Sequence, residues 1–210
     1  MNKVTRGGLP MLTVLGLAAL LGGCAVGQKY KYDDASLPLA KVASSGTVGV
    51  GVQDARPYVV SGKKAETFVG LQRGGFGNPF DVNTASDKPL AADLRDVLAK
   101  AMKNKGLQVT PVDIKPTDSA GNAQQILVST NARKLVLVTL KEWKSDVMMK
   151  ASLTYDITLD VLNEKGEKLA SKQTNGEEVI PGPAYATAPA NFVRKLEVMF
   201  EDEKILTALK

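Results

Sequence analysis

The chain has 210 residues, 44% of them hydrophobic and 23% charged, which is the composition of a globular protein and excludes both a disordered chain and a membrane protein with several spans. It has no histidine and a single cysteine, so an internal disulfide is excluded and the commonest general base and metal ligand are missing. The formal net charge is +5, and removing Lys3 and Arg6 with a targeting segment leaves 25 basic against 22 acidic residues, a weak balance that does not indicate a nucleic-acid partner.

Residues 1–23 have the pattern of a lipoprotein signal peptide. Lys3 and Arg6 precede an apolar run at 11–21 that is too short to span a bilayer. The sequence Leu21-Gly22-Gly23-Cys24 resembles the lipobox of bacterial lipoproteins. That resemblance implies cleavage before Cys24, diacylglycerol on its thiol and a further acyl chain such as palmitate. The alternative, that Cys24 merely ends a hydrophobic stretch, leaves unexplained why the only cysteine falls at this position.

The region after Cys24 predicts where the protein resides. Ala25 stands where, in enteric-type lipoproteins, an aspartate would favour the inner membrane. The resemblance therefore implies a lipid-anchored protein on the periplasm-facing side of the outer membrane, with the inner membrane as the alternative. Residues 24–45 are polar on average and show no sustained period, which predicts a flexible tether. Residues 46–210 are then a single periplasmic domain.

Strands and helices alternate in the first half of this domain. A strand is predicted at 47–55, where Val48, Val50 and Val52 share one face and Gly49 and Gly51 the other, which suits a helix packed close to the glycines. A second strand is predicted at 66–72, before a stretch of loop composition at 73–88. A helix follows at 89–105, then a strand at 107–111 and a helix at 119–131 capped by Asp118.

The second half predicts a strand meander and a last helix. Residues 135–140 form a continuous apolar strand, and residues 147–162 alternate strictly, which predicts one dry and one largely wet face. A turn at 163–166 leads to a polar strand at 167–178, and a helix starts at Pro189. The predicted fold class is α/β (α+β): a single two-layer sandwich with a mixed, mostly antiparallel sheet, about three helices on one face, and the order β-β-α-β-α-β-β-β-α.

No constellation of catalytic residues stands out, so we predict neither an enzyme nor a cofactor or metal site. The glycines around 70–75 lack the lysine of a phosphate loop, because Phe76 occupies that position. Ser61-x-x-Lys64 lacks the partner motifs of penicillin-interacting enzymes. A hydrolase without histidine would have to use Ser61 and Lys64, or a close pair among the candidate carboxylates Asp54, Asp81, Asp156 and Asp160.

The loop at 73–80 is the best candidate for a partner surface. It places Arg73, Phe76, Asn78 and Phe80 among glycines and a proline. These residues either plug the end of the core, which is the interpretation that we favour, or form a recognition surface, since aromatic residues and arginine dominate the energetics of interfaces. Arg56 is a further candidate for the partner surface, with a local ion pair to Asp54 as the alternative.

Several features together resemble the YajG-like uncharacterised lipoproteins of Gram-negative bacteria. They are the lipobox, a strand ending Val52-Gln-Asp-Ala-Arg-Pro57, a helix with Leu90, Leu94, Val97 and Leu98 closed by Lys105-Gly-Leu, and the long alternating strand before Asn163-Glu-Lys-Gly166. The family supplies no catalytic residues. We therefore predict a non-enzymatic envelope module that binds a protein, peptidoglycan or lipid component. An accessory subunit of an envelope transport or peptidoglycan-synthesis complex, a hydrolase and a purely structural spacer are the alternatives.

Overall fold

The computed structural model describes residues 27–42 and 45–210. The predicted signal peptide and Cys24 lie outside these described residues. The strands are β1 (Lys29–Tyr30), β2 (Thr47–Asp54), β3 (Phe68–Arg73), β4 (Pro79–Thr84), β5 (Gln108–Asp113), β6 (Lys134–Val147), β7 (Ala151–Asn163) and β8 (Lys168–Ile180). The helices are α1 (Pro57–Val60), α2 (Leu90–Asn104), α3 (Ala120–Val128), α4 (Ala184–Phe200) and α5 (Glu203–Ala208).

All these strands belong to one mixed sheet centred on β6. The order is β1-β4-β3-β6-β2-β5, and β7 pairs with β6 and then with β8. One edge of β6 pairs in parallel first with β2 and then, nearer its end, with β3. The other edge pairs antiparallel with β7 along almost its whole length. The predicted α+β sandwich with a mixed sheet is confirmed.

The main core lies between the sheet and helices α2, α4 and α5. The valine face of β2 packs there, as predicted, against the apolar stripe of α2. The opposite face of β2 carries Gly51, where an added Cβ would lie 2.5 Å from Ile114 Cδ1 and 3.4 Å from Leu127 of α3. Helix α3 therefore packs close to the glycines, as expected. It forms a second small core on that face, so the prediction that the helices share one face is wrong for α3.

The long alternating strand is confirmed, but its start is displaced. In β7 the side chains at 151, 153, 157, 159 and 161 are buried, and most of those between them are partly exposed. However, β6 continues to Val147, and residues 148–150 turn the chain into β7. The alternation runs through this turn because the turn contains no glycine, proline or asparagine that would mark it.

Residues 29–42 belong to the domain. The apolar side chains of this stretch are buried in the main core: Tyr30, Tyr32, Leu37, Leu39 and Val42. The indole Nε1 of Trp143 donates to the Tyr32 hydroxyl at 2.8 Å, and β1 pairs in parallel with β4. The prediction of a flexible tether is therefore wrong for residues 29–42, because scattered apolar residues anchor a stretch whose average polarity suggested a coil.

Three further boundaries differ from the predictions. Strand β4 lies inside the stretch predicted as loop, with Pro79 as its first residue. Helix α4 begins at Ala184, so Pro189 lies within its first turns rather than at its start. The cap of α3 is Ser119, whose hydroxyl accepts from the Asn122 amide, rather than Asp118.

Within the described residues, no helix is long and apolar enough to span a bilayer.

Candidate functional site

Arg56 is a buried structural residue and does not belong to a partner surface. Its guanidinium is fully buried and pairs with Asp54 through Nε–Oδ1 at 2.7 Å and Nη2–Oδ2 at 2.5 Å. Its Nη1 donates to the carbonyls of Phe68 at 2.7 Å and Trp143 at 3.0 Å. Burial opposes the charge, but Asp54 and Tyr58 together outweigh it, so the pKa of Arg56 is raised. The structure thus contains the local ion pair between Arg56 and Asp54, which is the alternative interpretation of Arg56 given above.

The candidate carboxylates for catalysis are not brought together. Asp54 pairs with Arg56, whereas Asp81 pairs with Lys64. Asp156 accepts from Gln173, and Asp160 contacts Lys168 and Ser171. Each carboxylate thus has its own separate partner.

The other candidates for chemistry also lack a shared site. Ser61 is exposed, and the amine of Lys64 is held by Asp81. Among the described residues, no three acidic or cysteine side chains are grouped so that they could hold a metal ion.

The loop after β3 is a tight hairpin that points Phe76 into solvent. The Gly74 amide donates to the Asn78 carbonyl at 2.9 Å, and the Gly77 amide donates to the Gly74 carbonyl at 2.8 Å. Gly77 has φ +83°, a conformation that favours glycine. Residues 74–78 therefore form a closed loop with Phe76 near its apex, where 93% of the side chain is exposed. Phe76 does not plug the core.

The other candidate residues of this loop take different positions. Arg73 makes a two-pronged ion pair with Asp146 of β6, through Nε–Oδ1 at 2.7 Å and Nη2–Oδ2 at 2.6 Å. Asp146 raises the pKa of the Arg73 guanidinium and fixes the base of the loop to β6. Asn78 is exposed, whereas Phe80 is half-buried beside Gly74.

A second hairpin reaches the same end of the sheet. Gln72 of β3 is level with Val147 of β6, and Val147 is level with Ala151 of β7. The turn between β6 and β7 thus lies beside the loop at 74–78. Its middle residue Met149 is 93% exposed and Met148 is 59% exposed. Val179 of β8, which is level with Ser152, is also exposed here.

We call Phe76, Met148, Met149 and Val179 the apolar tip. They are four of the eight large apolar side chains that are exposed in the described part of the chain. The two hairpin turns, residues 74–78 and 148–150, contain no acidic residue, and their one charged residue is Lys150. Exposed apolar side chains that share one end of the sheet make this end the candidate contact surface of the domain.

Sequence reasoning singled out Phe76 of the apolar tip and missed the two methionines. Phe76 stood out because it lies among glycines. Met148 and Met149 did not, because they continue the alternation of a strand. Two adjacent methionines without a glycine, proline or asparagine beside them do not indicate a turn. Their exposure follows from the end of β6 at Val147, and the sequence pattern does not mark that end.

No protein-family model matches the chain, and no curated protein sequence matches it. Similar solved structures include a Xanthomonas campestris protein of the DUF330 family, 12% identical, with TM-score 0.47 over 88% of this chain and 94% of that one. The PelC dodecamer of Paraburkholderia phytofirmans is 12% identical, with TM-score 0.42 over 78% of this chain and 92% of that one. The lipoprotein GNA1162 of Neisseria meningitidis is 10% identical, with TM-score 0.33 over 75% and 99%. Likenesses at these identities and scores carry no activity or partner over to this chain.

Proposed function

We propose that this protein is a lipid-anchored, non-enzymatic accessory module of a Gram-negative cell envelope, held on the periplasm-facing side of the outer membrane. One observation carries the proposal. The only cysteine of the chain follows Leu21-Gly22-Gly23, and the first strand of the folded domain begins five residues later, at Lys29. Acyl chains attached to that cysteine contribute about 0.8 kcal/mol for each buried methylene, so two or three of them anchor a protein stably.

The distribution of the polar residues supports binding rather than catalysis. Hydrolysis without histidine requires close carboxylates or a serine beside an unoccupied lysine. The four candidate carboxylates have separate partners, and Lys64 is engaged by Asp81. We therefore place the function in the surfaces of the domain.

Two surfaces are available for contacts with the envelope. The first is the hairpin end, where Arg73 anchors the loop that carries Phe76 and Asn78, with Phe80 next to it in β4. The second is the largely polar outer face of β7 and β8, which presents Thr154, Asp156, Gln173 and Asn175. In the narrower proposal, an accessory subunit of a transport or peptidoglycan-synthesis complex, the polar groups of this second surface would contact the partner through direct and water-mediated hydrogen bonds.

Substitution of the cysteine tests the anchor. We expect the native product from a Gram-negative host to begin at Cys24, to carry the mass of diacylglycerol and to remain with membranes in high salt. Cys24→Ala removes the acceptor thiol, so the acyl mass is lost. Mass spectrometry of the N-terminal peptide measures both outcomes.

Two variants next to the cysteine provide controls. Gly22→Ala keeps a small residue before the cut and is expected to be processed as the wild type is. Gly23→Leu places a bulky side chain directly before the cut and is expected to block processing. An unmodified thiol in the wild-type product, or a mature start at another residue, contradicts the proposal.

A further inference from the structure

Three of the four side chains of the apolar tip, Phe76, Met148 and Met149, lie in the turns of two adjacent hairpins. Phe76 and Met149 are each 93% exposed, which is the largest exposure among the large apolar residues that the structure describes. Both turns are fixed at their bases. The Arg73–Asp146 ion pair fixes the first, and the β6–β7 ladder, in which Val147 pairs with Ala151, fixes the second. The backbone that carries these apolar side chains is thus fixed to the sheet.

The length of the connection to Cys24 limits how far this tip can lie from a membrane. Lys29 of β1 is level with Asn83 of β4, and the Asn83 amide donates to the Gln28 carbonyl. Cys24 precedes Lys29 by five residues, which at full extension span at most about 18 Å. Pro79, at the base of the first hairpin, lies four residues from Asn83 along β4, about 13 Å. A lipid on Cys24 therefore brings the bilayer surface within reach of the tip.

The chemistry of the tip fits a lipid surface. Phenylalanine and methionine side chains enter the boundary between head groups and acyl chains, and a neighbouring lysine is attracted to anionic head groups. The two turns carry Lys150 and no acid, and the ion pair below them keeps the Arg73 charge neutralised. No carboxylate in the turns has to approach the bilayer.

We propose that the apolar tip inserts into the lipid surface beside the acyl anchor, so that the domain stands on the membrane in a fixed orientation. The inference rests on the proposed anchoring through Cys24. It adds that the membrane is the partner of the loop at 74–78 and of the turn at 148–150. The polar outer face of β7 and β8 then stays free for other envelope components.

Quenching by brominated lipids tests the orientation on the full chain. Trp143 is the only tryptophan and is fully buried in the core, so the wild type provides an unquenched background. Phe76→Trp and Met149→Trp place an indole at each apex. Leu169→Trp places one at the opposite end of β8, where the leucine is 45% exposed, and serves as the matched control.

The lipoprotein purified from a Gram-negative host is reconstituted into vesicles of phosphatidylethanolamine with a minority of phosphatidylglycerol, brominated on the acyl chains. Insertion to the depth of about 5–10 Å typical of interfacial side chains predicts that the added emission of Phe76→Trp and Met149→Trp falls by about twofold or more. The emission of Leu169→Trp is expected to stay unchanged.

The outcomes separate this inference from the proposed anchor. If the protein carries its acyl mass and floats with the vesicles while neither apex is quenched, the orientation is wrong and the anchor stands. Equal quenching at all three positions also overturns the inference, because the domain then has no fixed orientation. A product without acyl chains contradicts the proposed anchor. It also contradicts the inference, because the anchor is what brings the bilayer close to the apolar tip. Crosslinking of position 76 to a protein in cells, without quenching in vesicles, shows a protein partner instead.

Discussion

Arg56 shows how much of this fold depends on a single side chain. Its guanidinium joins the end of β2, through Asp54, to the carbonyls of Phe68 in β3 and Trp143 in β6. Three strands that are separated in sequence thus meet at one buried cation. The sequence could suggest the pair with Asp54, two residues away, but not the contacts with residues 12 and 87 positions further along the chain.

Removal of this cation is expected to destabilise the domain strongly. Arg56→Ala leaves Asp54 as an uncompensated buried charge, which typically costs about 3–5 kcal/mol. The free energy of unfolding in urea, followed by the emission of Trp143, measures the loss. Arg194→Ala is the matched control, because Arg194 forms an exposed pair with Glu178 and such pairs contribute about 0–1 kcal/mol. Equal effects of the two substitutions contradict the structural role assigned to Arg56.

At the scale of elements, the junction between β3 and β6 depends on a glycine. Gly70 is level with Ser145, and a Cβ at Gly70 would lie 2.6 Å from the Ser145 carbonyl oxygen. That contact involves backbone, which cannot rotate away as a side chain can. The close approach of β3 to β6 is what places the loop at 74–78 beside the turn at 148–150.

Gly70→Ala is therefore expected to separate these strands. Overpacking of this kind costs about 1–3 kcal/mol, measured as the free energy of unfolding. Gly75→Ala provides the control, because a Cβ there meets nothing within 4 Å and is expected to leave stability almost unchanged. Equal stability of the Gly70→Ala and Gly75→Ala proteins contradicts this role of Gly70, because β3 and β6 can then pair with a Cβ at position 70.

The elements that sequence reasoning identified correctly are those with a sustained period. Strand β7 and helix α2 each bury one regular face, so their patterns are visible without knowledge of the neighbours. Strand β4 was missed because its alternation, with Val82 and Thr84 buried, is short and follows a run of glycine, asparagine and proline. The apolar tip required the point at which β6 turns into β7, and that point depends on pairing between strands rather than on local sequence.

At the scale of the whole molecule, the N-terminal segment is part of the core. The fully buried Tyr32 accepts a hydrogen bond from Trp143, 111 residues further along the chain. Burial raises the pKa of the Tyr32 hydroxyl. This packing shortens the connection between the domain and Cys24 from the roughly 20 residues expected of a coil to the few before Lys29.

Tyr32→Phe tests this attachment. The substitution leaves the buried Trp143 N–H without an acceptor, and we expect the free energy of unfolding to fall by about 1–3 kcal/mol. Tyr185→Phe removes a hydroxyl from a side chain that is 58% exposed and should change stability little. No loss in Tyr32→Phe, read from the same urea transitions, contradicts the assignment of residues 29–42 to the folded domain.

The length of β6 has a consequence for how far this protein extends from a membrane. A strand of 14 residues measures about 46 Å, and the turn between β7 and β8 lies at the end of the sheet opposite the hairpins. A domain standing on the bilayer by the loop at 74–78 and the turn at 148–150 would hold Asn163 and its neighbours at most about that height above the head groups. The turn between β7 and β8 would then lie at a fixed distance from the membrane. Envelope components at that distance would contact this end of the molecule.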